Sequence, residues 1–106
     1  MAADALASYG KYCGRHRGLC KPGEECAPAS GAGVDGMDRL CKAHDECLRA
    51  SNWPKGRAGK ACDQTMCAAI QRGNFCGGNT RCTGYAAHAR GVMCRSRSPN
   101  SHEDLR

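Results

Sequence analysis

"DGMDRLCKAHDECLRA", residues 35–50, decides how this chain is read. Met37, Leu40, Cys41, His44, Cys47 and Leu48 recur at the i, i+3, i+4, i+7 spacing that puts side chains on one face of an α-helix. Arg39, Lys42, Glu46 and Arg49 fall on the other side. Asp35 is a good N-cap, and Asp38 places a negative charge in the first turn, at the positive end of the helix dipole. The predicted helix covers 36–51 and is stopped by the turn-forming NWPKG that follows. Its apolar stripe holds His44, with Asp45 next to it. Consecutive helical residues point about 100° apart, so these two side chains serve different positions in space.

The chain has 106 residues, which predicts a single domain over 1–106. Its core material is poor, with one Phe, one Trp, one Ile and two Val. Ten cysteines at irregular spacing in so short a chain read as five disulfides formed in an oxidising compartment. Closing a loop of about 15 residues contributes roughly 3 kcal/mol in the chain-entropy model, so such staples can replace a missing core. Cys20 and Cys26 are close enough in sequence to close a small ring on themselves.

Around the first helix, residues 10–36 are rich in glycine and read as a loop, with residues 27–34 as a flexible insertion. A second helix is predicted over 58–72, with Cys62, Met66 and Ala69 on one face. A third, weaker one over 79–93 has Cys82, Tyr85, Ala86, Ala89 and Met93 inward. Residues 95–106 form a polar tail. The expected fold is mainly α, disulfide-stapled, with two antiparallel core helices, an N-terminal loop and little or no β. In an antiparallel pair, pairing Cys47 with Cys62 sets Leu40 against Ala69 and His44 against Thr65, with Asp63 within a turn of His44. Pairing Cys47 with Cys67 instead moves Asp63 away.

The formal net charge of +6 favours anionic surfaces such as lipid headgroups. Lys11, Arg15, Arg17 and Lys21 cluster near the loop, and Trp53 is a candidate interfacial anchor whose alternative is packing onto its own domain. Five aromatic residues offer few stacking platforms, which argues against nucleic acid. No segment is long and apolar enough to span a membrane as a helix. Residues 1–12 have neither the basic start nor the apolar run of a signal peptide, so the expectation is a secreted protein whose signal peptide is absent from this chain. Leu6 and Tyr9 are candidates to line an acyl channel.

A lone histidine on an apolar stripe is more often a core residue bonded to backbone than a catalyst. Its neighbours alter that balance. A hard cation such as Ca²⁺ takes six to eight oxygens, and glycine-containing loops closed by a carboxylate supply them. The YCGRHRG loop, residues 12–18, offers backbone carbonyls, and Asp45 can complete the cage if Cys13 bonds Cys41. His44, on the adjacent face, then stands beside the metal as a proton acceptor, and Asp63 is the candidate to orient its ring.

Together, YGKYCG (9–14) and DGMDRLCKAHDECL (35–48) resemble the calcium-dependent secreted phospholipases A2, most nearly the plant and algal branch. The resemblance covers roughly residues 9–70 and rests on a D-x-x-C-x-x-H-D-x-C pattern, here Asp38, Cys41, His44, Asp45 and Cys47. It implies a hydrolase that cleaves the sn-2 ester of glycerophospholipids at a membrane surface, releasing a fatty acid and a lysophospholipid. His44 would be the general base and Asp63 its carboxylate partner. Asp45 and the carbonyls of Tyr12, Gly14 and His16 would hold Ca²⁺, and the Gly14 N–H would stabilise the oxyanion. Cys13–Cys41 and Cys47–Cys62 would be disulfides. The chain departs from the family at His16, where glycine is usual, and at Leu40 and Ala69, which replace both halves of one family disulfide. Leu48 stands where animal members have a tyrosine. Cys67, Cys76, Cys82 and Cys94 allow three pairings.

Two rival readings use the same residues. A zinc module would employ Cys13, His16, Cys41 and His44 as ligands but leave Asp45 idle. A catalytically silent lipid- or protein-binding relative of the same fold would have no need of both His44 and Asp45. The expected protein is a monomeric enzyme with a phospholipid surface as its partner.

Overall fold

A computed structural model describes residues 8–14, 17–20, 23–26, 29–53, 59–73 and 75–95. Its elements run β1 (Ser8–Tyr9), β2 (Cys13–Gly14), α1 (Gly36–Ala50), α2 (Gly59–Arg72) and α3 (Thr80–Arg95). The fold is mainly α with five disulfides, and its only sheet among the described residues is the two-stranded β1–β2 ribbon, paired antiparallel with Tyr9 opposite Cys13. Helix α3 includes Arg95, the first residue of the predicted polar tail; residues 96–106 lie outside the described residues. The expectations for Leu6, Arg15, His16, Lys21 and residues 54–58 also lie outside them.

Helix α1 begins and ends for local reasons. Asp35 caps it by accepting the Asp38 N–H at 3.0 Å. At the other end Asn52 takes a left-handed conformation, φ 68°. Its N–H donates to the Arg49 carbonyl and the Trp53 N–H to the Leu48 carbonyl, the paired bonds of a Schellman cap. Trp53 itself is half-buried. Helix α3 is capped by Asn79, whose side-chain oxygen accepts the Cys82 N–H at 3.0 Å.

Helix α2 packs between α1 and α3. Cys47, near the end of α1, bonds Cys62 near the start of α2. Gly36, at the start of α1, abuts Phe75 just beyond the end of α2. The two helices therefore run antiparallel. The core gathers Met37, Cys41, Met66, Ile70, Cys82 and Tyr85, with Leu40 and Phe75 packed at its margin. Tyr9 stacks on Tyr85 with centroids 5.8 Å apart, which ties the β-ribbon to α3.

The five disulfides are Cys13–Cys41, Cys20–Cys26, Cys47–Cys62, Cys67–Cys94 and Cys76–Cys82. The last two settle the pairing that the sequence leaves open. Residues 29–34 correct an expectation: they are not a loose insertion. Lys11 Nζ donates to the Ser30 and Ala32 carbonyls, each at 3.2 Å, and the Tyr12 hydroxyl donates to the Gly31 carbonyl at 2.6 Å. Long-range polar partners, which glycine content does not announce, order this stretch.

Candidate active site

His44 and Asp63 meet across the α1–α2 interface, with His44 Nε2 2.6 Å from Asp63 Oδ1 and both side chains buried. An ionised carboxylate can only accept a hydrogen bond, so Nε2 carries the hydrogen and donates it to Asp63 Oδ1. Nδ1 then carries the lone pair and is the ring atom that can accept a proton. The simple antiparallel register set Thr65 opposite His44, but Thr65 is exposed and Asp63 holds that place. The short link and the Cys47–Cys62 staple turn α2 so that Cys62 and Asp63 both face α1.

Asp45 is buried at 7% exposure, and its Oδ2 is closed to solvent. It faces the loop at Gly18, which sits at φ +71°, and a Cβ added there would collide with Asp45 Oδ2. Only glycine combines that backbone conformation with so close an approach. The Cys13–Cys41 disulfide clamps the loop to α1 one turn before Asp45. This buried carboxylate is packed against a glycine of the loop so closely that a Cβ has no room between them, and a carboxylate beside a glycine-containing loop is the kind of oxygen donor that a hard cation such as Ca²⁺ takes. Tyr12 and Gly14 lie on this loop, and His16 is outside the described residues. Among the described residues no group of three or more His, Cys, Asp or Glu side chains forms a metal-binding cluster. The thiols that a zinc module needs at Cys13 and Cys41 are bonded to each other.

Asp38 has a larger part than its position in the first turn suggested. It is fully buried. Its Oδ1 accepts the Tyr12 N–H at 2.9 Å and the Lys11 N–H at 3.1 Å, while Oδ2 accepts the Lys11 N–H at 3.0 Å and the Val34 N–H at 2.9 Å. A carboxylate used in this way replaces the backbone partners that a tight loop cannot provide. Gly10 leaves room for it, since a Cβ there would stand 2.5 Å from the Asp38 carboxyl carbon. A signal was available in the sequence: Asp38, Cys41, Asp45 and Leu48 form a second helical stripe, parallel to the one through His44.

Asp35 also does two jobs. Besides capping α1 it accepts a short hydrogen bond from the Tyr9 hydroxyl. That bond, then burial and the nearby negative charge, hold the Tyr9 phenol above its ordinary pKa. Arg17 reaches back to donate to the Gly10 carbonyl, closing the loop on itself. Lys42, expected on the solvent side, lies with its Nζ 5.7 Å from the Tyr12 ring centroid.

No family model matches the chain, and neither a curated protein nor a solved structure matches it.

Proposed function

We propose that the chain is a calcium-dependent phospholipase A2-type hydrolase, secreted or exported to another oxidising compartment, that cleaves the sn-2 ester of glycerophospholipids at a membrane surface. The observation that carries this reading is the buried His44–Asp63 pair directly beside a buried Asp45 that faces a glycine loop. The five disulfides support an oxidising environment.

In this reading His44 Nδ1 takes a proton from water as the water oxygen adds to the sn-2 carbonyl carbon. Asp63 keeps the ring oriented and stabilises the imidazolium. The Gly14 N–H donates to the developing oxyanion. His44 then returns the proton to the glycerol oxygen as the ester C–O bond breaks, giving a free fatty acid and a lysophospholipid. The Asp45 carboxylate and the carbonyls of Tyr12, Gly14 and His16 would hold calcium, which supplies a Lewis acid for the carbonyl and positive charge for the oxyanion. One carboxylate among neutral oxygens places the affinity at roughly 10⁻⁴–10⁻³ M. The basic surface favours anionic lipid.

The test is hydrolysis of phospholipid vesicles with positional analysis of the products. Release of the sn-2 chain at millimolar calcium and none in excess chelator supports the reading. Equal cleavage in chelator sinks the calcium mechanism, and no cleavage at millimolar calcium favours the catalytically silent lipid binder.

A further inference from the structure

We propose that the Cys20–Cys26 disulfide is a redox switch on the loop that faces Asp45, opened by a dithiol reductant while the rest of the fold stays intact. Burial separates this bond from the other four. Cys13, Cys41, Cys62, Cys67 and Cys82 are buried, so every other disulfide has at least one of its two cysteines in the interior. Cys20 is half-buried and Cys26 is exposed. Thiol–disulfide exchange needs access to a sulfur, and exposed disulfides are the labile ones. Cys76–Cys82 is the closest comparison, because both rings have a sequence separation of 6. Cys82 is fully buried in the core cluster, whereas neither Cys20 nor Cys26 belongs to it. Cys13–Cys41 ties β2 to α1, Cys47–Cys62 ties α1 to α2, and Cys67–Cys94 ties α2 to α3. Opening the Cys20–Cys26 ring leaves all three of these links in place.

The exchange balances with a dithiol. One thiolate of the reductant attacks Cys26 Sγ, the accessible sulfur, and the Cys20 thiolate leaves and takes a proton from water. The second thiolate of the reductant attacks the mixed disulfide and expels Cys26. The ring gains two electrons as two thiols, and the dithiol is oxidised to a disulfide. The consequence for the site rests on the hydrolase reading. Gly18, whose backbone lies against the Asp45 carboxylate, is two residues before Cys20. On its N-terminal side Arg17 donates to the Gly10 carbonyl, and the Leu19 N–H donates to the Arg17 carbonyl at 2.7 Å. The Cys20–Cys26 ring holds the C-terminal side. Opening the ring frees that side, so more of the loop must be ordered when a cation binds, and affinity falls. The switch thus sets the site loose in reducing surroundings and tight in oxidising ones.

The experiment treats the native chain with graded dithiothreitol, traps free thiols with iodoacetamide and maps the labelled peptides by mass spectrometry. The expected result is labelling of Cys20 and Cys26 at a dithiol concentration roughly tenfold lower than any other cysteine requires, with the helical circular dichroism unchanged. Opening of another disulfide first, or loss of the helical signal together with Cys20–Cys26, overturns the switch. Calcium titration by calorimetry then reads the coupling in the selectively opened protein and in a Cys20→Ser/Cys26→Ser double variant. Both should bind calcium roughly three- to tenfold more weakly than the unaltered chain. Oxidised glutathione should restore the affinity of the opened, unalkylated protein and leave the double variant weak. Selective opening with unchanged calcium affinity overturns the coupling to the site. If the unaltered chain binds no calcium, the hydrolase reading fails, and the order of labelling alone decides whether the ring is the redox-sensitive bond.

Discussion

His44 Nε2 and Asp63 Oδ1 lie 2.6 Å apart although the residues are 19 positions apart in sequence. Each comes from a different helix, and the Cys47–Cys62 bond sits one turn from His44 and next to Asp63. His44→Gln is therefore expected to lower vesicle hydrolysis by at least roughly a hundredfold, the usual contribution of a positioned acid–base group, and to leave calcium binding near its original value. Asp63→Asn should lower turnover while calcium affinity stays constant. Parallel loss of calcium binding in His44→Gln, read by calorimetry, would show that base and metal ligand have been confused.

Asp45 and Gly18 form the second pair to test. Asp45→Asn is expected to abolish calcium binding and activity together, with the helical circular dichroism preserved. Gly18→Ala should do the same by a steric route, because its Cβ meets the Asp45 carboxylate on a left-handed backbone. The backbone conformation alone costs about 1–2 kcal/mol, measurable as a lower denaturation midpoint. A Gly18→Ala protein with full calcium affinity would remove this cradle from consideration.

The disulfides make a graded prediction. Cys67–Cys94 spans 27 residues and Cys76–Cys82 spans six. In the chain-entropy model these contribute about 3.5 and about 2 kcal/mol. Replacing the first pair by alanines should thus cost more stability in denaturant titration than replacing the second. Full reduction should unfold the chain, seen as loss of far-ultraviolet helical signal; retention of that signal would mean the apolar core suffices by itself.

Tyr9 and Asp35 set a pH dependence. The Asp35 hydrogen bond, followed by burial, raises the Tyr9 pKa above its ordinary value near 10. A folded-state pKa above the unfolded one means the unfolded chain loses its proton first as pH rises. The stabilisation is complete below about pH 10 and declines as pH climbs through the raised folded value. The stability difference between the unaltered chain and Tyr9→Phe should hence be flat from pH 7 to 9 and shrink above pH 10, as followed by urea denaturation at each pH. A difference that grows with alkalinity would contradict the assigned direction.

Much of α1 was legible because its signals are local. The apolar period, the Asp35 cap and the stop after residue 51 each depend on neighbours within a few positions, and the helix spans Gly36–Ala50. The Cys20–Cys26 ring is local in the same sense. Asp63 was reachable as a candidate, yet the register arithmetic set Thr65 opposite His44, because index sums ignore how a helix rotates about its own axis. Asp38 was read as a partner of the helix dipole. Its three backbone donors come from Lys11, Tyr12 and Val34, and two of these lie more than twenty residues away.

The sequence by itself determined the helices, the ten-cysteine framework and the placing of His44 and Asp45 on adjacent faces of one helix, because periodicity and capping are properties of short stretches. Only the tertiary structure decided which of the last four cysteines pair, that Asp63 meets His44 through Nε2 at hydrogen-bond distance, and that residues 29–34 are tied down. Those outcomes depend on where distant backbone groups find partners once α1, α2 and the loop are packed, and a carbonyl or an N–H leaves no mark in the residue that carries it.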